Sequence, residues 1–203
     1  MKKVYSAVLV FCLATFLLFT SVSTVPAAEA GPYYIGIFGG LAMPDDLNID
    51  PPDRDVKLKN SWALGAKAGY IFPQCKWLAT ELEYFYLAKQ DTDEPSIDDG
   101  DYSANNLMAN LLVRYPEGRI HPYAGLGIGW SWGEVSGVFA DDTSDNAFAW
   151  QILAGVNFEI APKWSADLAY RYFRTVYKMG AEGFNADVTA PNHMILVGIN
   201  YHF

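Results

Sequence analysis

Basic residues are scarce in this chain. Fourteen Lys and Arg face 23 Asp and Glu, and no basic tract occurs anywhere. Phosphate recognition needs clustered cations, so nucleic acid is excluded as a partner. Charge of either sign is thin, at 18% of residues, where a soluble domain averages about a quarter. Cysteine is limited to Cys12 and Cys75. Cys12 follows Phe11 rather than a small residue, unlike a lipoprotein cysteine. Cys75 falls in a predicted turn with no histidine near it, so it reads as a bystander rather than a nucleophile. Once an N-terminal leader is removed, a single cysteine makes no internal disulfide. Histidine occurs three times, at His121, His193 and His202. No His-x-Ser pair and no His-x-x-x-His pair is present, so neither a barrel deacylase site nor a metal site assembles from sequence. No catalytic residue, no metal and no cofactor is expected.

What is present begins with a leader. Lys2 and Lys3 precede the apolar run "VYSAVLVFCLATFLLF", and "STVPAAEA" follows it. Ala28-Glu29-Ala30 fits a small-residue cleavage site, which predicts residues 1–30 as a cleaved signal peptide and 31–203 as one exported domain. After Gly31 no apolar run is long enough for a transmembrane helix.

Alternation replaces it. Eight segments show period two: Tyr33–Met43, Ser61–Phe72, Trp77–Lys89, Tyr102–Tyr115, Tyr123–Val135, Ala147–Ala161, Trp164–Tyr177 and Asn192–Phe203. Side chains on a strand point alternately to opposite faces, so each segment divides into two sets. One set is apolar, as in Leu107, Ala109, Leu111, Val113 and Tyr115. It carries aromatics towards both ends, as membrane-interface girdles do. The other set holds Lys67, Glu81, Glu83, Asn110, Arg114, Asn157, Glu159, Asp167, Arg171, Asn200 and His202, mixed with Gly125, Gly127, Gly129 and Gly133. A soluble sandwich is the competing reading, with the charges in water and the apolar set in a core.

The connections decide between them. "PQCK", "PEGRIH" and "APK" are short and carry proline or glycine. Pro44–Asn60, Gln90–Asp101, Ser136–Asn146 and Lys178–Pro191 are long. Strict alternation of short and long connections marks an outer-membrane barrel, with short turns facing the periplasm and long loops outside. The predicted fold is therefore all-β: a transmembrane antiparallel up-and-down β-barrel of about eight strands. Backbone groups in hydrocarbon must be satisfied within the sheet, so the last strand must close on the first.

The leader, the opening "YYIGIFGG", the strand "HPYAGLGIGWSWG" and the terminal "INYHF" together resemble the small eight-stranded outer-membrane β-barrel family. That family includes the OmpA membrane domain, OmpX and opacity-type surface proteins. The resemblance covers essentially the whole of 31–203. It implies location in the outer membrane, contact with lipid and lipopolysaccharide, and handling by the barrel-assembly machinery. It also implies that Val197, Ile199, Tyr201 and Phe203 form the assembly signal.

A barrel of eight strands has an interior that side chains can fill. Lys67, Arg114 and Arg171 are expected to pair there with Glu81, Glu83, Glu159 and Asp167, because unpaired buried charge is costly. The inward glycines are expected to make room for Tyr34, Phe38, Phe85 and Phe173. "DTDEPSIDDGD" and "ADDTSDN" concentrate carboxylates in the loops. They read as solvated, mutually repelling surface, with divalent-ion bridging to lipopolysaccharide as the sharper alternative. Arg174 and Lys178 at the outer rim would contact lipid phosphates. The expected function is a monomeric, plugged barrel with a structural, envelope-integrity or surface-recognition role. A narrow channel or transporter for ions or small solutes is the alternative, and a lipid A-modifying enzyme is a minor one.

Overall fold

The computed structural model describes residues 31–44, 47–50, 54–56, 59–91, 101–136, 143–181 and 184–203. Among them all regular structure is β: β1 (Tyr33–Pro44), β2 (Leu47–Asp50), β3 (Arg54–Val56), β4 (Ser61–Ile71), β5 (Leu78–Asp91), β6 (Asp101–Arg114), β7 (Ile120–Ser136), β8 (Thr143–Ala161), β9 (Trp164–Ala181) and β10 (Phe184–His202).

Eight of these strands form the wall, in the order β1-β4-β5-β6-β7-β8-β9-β10, and β10 pairs back onto β1. Every pairing is antiparallel. The closing seam runs from Tyr34 opposite His202 to Pro44 opposite Asn192. At its foot the Phe203 amide donates to the Tyr33 carbonyl at 3.0 Å. The sheet therefore has no open edge within the wall, which is what a hydrocarbon environment demands.

Burial is inverted relative to a soluble protein. Lys67, Glu81, Glu83, Asp167 and Arg171 are buried, while Ile37, Leu64, Leu82, Leu126, Ile128 and Val197 are each more than half exposed. The exposed apolar band is bounded by aromatics. Tyr33, Tyr70, Trp164, Tyr201 and Phe203 cluster at the end with short turns. Trp62 with Tyr86, Trp130 with Phe148 and Trp150 with Tyr172 mark the other end. Tryptophan and tyrosine favour the headgroup level, where one part of the ring is dry and another is wet.

The short turns at 72–77, 115–119 and 162–163 sit together at one end. Gly118 takes φ 76° in the second of them, a conformation that suits glycine. The connections at the opposite end differ from the sequence expectation. Strand pairing continues far into what reads as loop. β8, β9 and β10 reach 18 to 19 residues, nearly twice the 9 to 11 or so that a tilted strand needs to cross hydrocarbon. The expected loop Lys178–Pro191 is thus largely a two-stranded ribbon.

The expected loop Pro44–Asn60 contains β2 and β3, which the alternation did not disclose. β2 runs on from β1 along the same neighbour, with Asn48 opposite Thr189, and the register moves by one residue after Pro44. β10 outlasts β1, so its backbone groups need a partner. β2 supplies one, and proline at the break has no N–H to lose. Of the acidic runs at 91–101 and 140–146, residues 92–100 and 140–142 lie outside the described residues.

Candidate functional site

Among the described residues, polar side chains gather in the lumen. It is built in tiers, because successive inward residues on each strand rise by two positions. Nearest the short turns, His121 on β7 is held by two acceptors. Its Nδ1 lies 2.9 Å from the Tyr115 carbonyl, and its Nε2 lies 2.9 Å from Glu159 Oε1. Beside it, Ser165 Oγ takes hydrogen bonds from the amides of Asn157 at 3.0 Å and Asn200 at 3.3 Å, and meets His202 Nε2 at 3.0 Å.

The second tier centres on Lys67. Its ammonium reaches Glu81 Oε1 at 3.1 Å and Asp167 Oδ2 at 2.8 Å. The Tyr34 hydroxyl donates to Glu81 at 2.6 Å, and the Tyr123 hydroxyl donates to both Asp167 oxygens at 3.1 and 3.2 Å. Each carboxylate therefore faces one cation and one phenol.

The third tier is the Arg171–Glu83 pair, both residues 2% exposed. One guanidinium nitrogen, Nη2, donates to the two Glu83 oxygens at 3.1 and 2.9 Å. Gln151 Nε2 donates to Glu83 at 3.0 Å and to Asn110 Oδ1 at 2.7 Å. The rest of the guanidinium lies over rings, 4.7 Å from the centre of Phe85 and 5.1 Å from that of Phe38. Those rings take the place of oxygen partners for Nε and Nη1.

Above Arg171 the lumen turns apolar. Phe85 and Phe173 meet edge to face at 5.3 Å, and Met108, Met194 and Leu87 close around them, all without measurable exposure. Ser61, Asn106, Ser131, Thr175 and Asn192 form a buried polar collar beyond.

Six of the seven residues expected to form the network from sequence enter ion pairs: Lys67, Glu81, Glu83, Asp167 and Arg171 with one another, and Glu159 with His121. Arg114 is the exception. Among the described residues it makes no ion pair; Glu159, which attracts it, is bonded to His121. Tyr34, Tyr123, Gln151 and Asn110 complete the network. Strand parity places all four inward, but parity does not say which of them bond. Val197, Ile199 and Phe203 stand exposed on the outer wall of β10 and beyond it, with Tyr201 half-buried between them.

The inward glycines of β7 serve neighbours other than those expected. A side chain at Gly125 would strike Leu112, one at Gly127 would strike Asn110 and Gln151, and one at Gly129 would strike Met108. Gly65 and Gly69 on β4 make the room for Phe38, Phe85 and Tyr34. The reason is register: Gly65 lies between Phe38 on β1 and Phe85 on β5.

His193 lies on the outer wall. It is hydrogen-bonded through Nδ1 to Tyr170 and packs on Tyr172. Arg174 is half-buried. Cys75 is a free thiol in the first short turn.

Residues 12–203 match the model of the outer membrane protein beta-barrel domain. The chain belongs to that family. Its place is accordingly the outer membrane. A protein of Brucella abortus (strain 2308) described as uncharacterised is 27% identical over 162 residues, which is 64% of this chain and 56% of that protein. The barrel thus spans little more than half the length of the curated relatives it matches. Among solved structures, Neisserial surface protein A superposes with a TM-score of 0.59 at 15% identity, over 86% of this chain and 99% of the other. OprG of Pseudomonas aeruginosa gives 0.55 at 17%, over 87% and 99%. AlkL, solved in lipid bilayers, gives 0.56 at 18%, over 90% and 95%. At these identities the likeness is one of fold.

Proposed function

We propose that this family member is a sealed outer-membrane barrel whose work is done by its wall and its outer loops. One observation carries the reading: the lumen is crossed by two tiers of buried ion pairs and then by a plug of Phe85, Phe173, Met108 and Met194. Two cavities bordered by lumen side chains measure only about 30 and 10 Å³. Opening a hydrated path would mean separating charges that pair within 3.1 Å, or displacing close-packed rings.

On this reading the short turns face the periplasm and the long connections face outwards. Residues 1–30 are removed as a leader. Val197, Ile199, Tyr201 and Phe203 guide assembly, and the protein works as a monomer in contact with lipopolysaccharide. N-terminal sequencing of the outer-membrane form tests the leader, with Gly31 expected first.

The role itself is tested by deletion. A strain lacking the gene should lose barrier strength against detergent or lose adhesion to a surface. Complementation with a barrel whose 92–100 and 137–142 segments are replaced by Gly-Ser separates the two, since only the barrier depends on the wall alone. A deletion strain that keeps both properties but takes up a small solute more slowly contradicts the proposal.

A further inference from the structure

We infer that the cavity between the Lys67 tier and the short turns is a binding site for one small monatomic anion of the halide class, chloride being the physiological candidate. The inference goes beyond the sealed-barrel reading and does not need it to hold.

The cavity measures about 30 Å³ and is bordered by Arg114, His202, Asn157, Asn200, Tyr34 and the Lys67 tier. A water needs about 10–15 Å³ by this measure, so the cavity has room for one small ion or one to two waters. Sulfate and phosphate bring more charge and more oxygens into this buried space than two donors satisfy.

Its uncommitted polar groups include two donors on different strands. Arg114, the lumen cation with no ion pair among the described residues, borders it directly. His202 is 7% exposed, and its Nδ1 has no hydrogen-bond partner. The state of that nitrogen follows from Ser165. A hydroxyl has one proton to give and two lone pairs. Ser165 Oγ accepts from the Asn157 and Asn200 amides, so its proton goes to His202 Nε2. Nε2 is then an acceptor, and the ring proton sits on Nδ1. The buried, unpartnered atom is an N–H.

Glu159, bonded through Oε1 to His121, attracts Arg114 and His202, but the two carboxylates that border the cavity are committed elsewhere. Glu81 accepts from Lys67 and Tyr34, and Asp167 accepts from Lys67 and Tyr123. Asn200 Oδ1 is a buried acceptor without a hydrogen-bond partner and lies over Gly36, where an added Cβ would strike it. Among the residues that border the cavity, Lys67 and Arg114 balance Glu81 and Asp167 in formal charge. An anion takes two donors and has no proton to place. A water is the rival occupant: it could accept from the same donors and give one proton to Asn200 Oδ1, whereas an anion leaves that oxygen unsatisfied.

The test uses protein purified from outer membranes into detergent, with backbone and histidine side-chain NMR signals followed at constant ionic strength. Titration with chloride or bromide should give saturable shifts at His202, Asn157 and Asn200, and sulfate should give none. Arg114→Gln should weaken the halide response at least tenfold while heat-modifiable gel mobility stays that of the folded barrel. Should that variant fail to fold, crystals of the unaltered protein grown in bromide decide the matter, with an anomalous peak expected between Arg114 and His202. Shifts that are linear, or equal for chloride and sulfate, or unchanged by Arg114→Gln, would overturn the inference. So would a crystal in bromide with no anomalous peak there, which means water alone.

Discussion

The two halves of the lumen are filled by different means. The half near the short turns is closed by ion pairs and phenol–carboxylate hydrogen bonds around Lys67, whereas the far half is closed by Phe85, Phe173, Met108 and Met194. Arg171 stands at the border, with Nη2 on Glu83 and the rest of its guanidinium over Phe38 and Phe85. The contrast teaches that filling a narrow barrel is a steric requirement that either chemistry can meet. The two differ in how they fail. An apolar plug loses stability in proportion to the atoms removed. A polar plug loses little when a pair is replaced together and much when one member is left alone.

That difference orders the effects of substitution. Arg171→Ala, which strands Glu83, should cost about 3–5 kcal/mol in denaturant unfolding followed by heat-modifiable mobility. The joint change Arg171→Met with Glu83→Leu should recover most of that loss, and a failure to recover it would show that the pair does more than fill space. In the apolar half, Met194→Ala should cost about 2–3 kcal/mol for the cavity it leaves. No partner substitution should rescue it.

Gly69→Ala should cost about 1–3 kcal/mol by overpacking, since the new Cβ meets the Tyr34 ring and pushes its hydroxyl off Glu81. Tyr34→Phe in that background should then add little, which a double-mutant cycle would read. At the smallest end, Lys163→Ala removes an exposed cation 5.9 Å from the Tyr201 ring and should shift unfolding by about 0.5–1 kcal/mol at most.

The lumen tiers also mark where sequence reading stops. Alternation alone places Lys67, Glu83, Asp167 and Arg171 inward, because a strand has only two faces. It does not pair them. Lys67 lies directly opposite Glu83 in the β4–β5 ladder, yet it bonds Glu81 on the diagonal and Asp167 across the lumen, 100 positions away in sequence. Glu83 turns instead to Arg171, 88 positions away. Such contacts depend on how far the strands are staggered when the wall closes, and no local pattern encodes that. Gln151 lies between Trp150 and Ile152, where parity points it inward, but only its neighbours Glu83 and Asn110 give it a task.

The far connections were misread for the same kind of reason. β2 forms only because β10 runs past the end of β1, a relation between strands nearly 140 positions apart in sequence. The stretch from Lys178 to Pro191 does alternate, with Phe184, Ala186, Val188 and Ala190 set between Asn185, Asp187 and Thr189, but Gly180, Gly183 and Pro191 read as loop punctuation and its partner strand is fixed only when β9 and β10 pair.

The most direct test of the closed lumen is single-channel recording from the folded protein in a planar bilayer. The account predicts silence: no discrete steps above the bare-bilayer baseline while gel mobility certifies the barrel. Reproducible steps that change size on Lys67→Ala or Arg171→Ala would place a conducting path through the ion-pair tiers and contradict it.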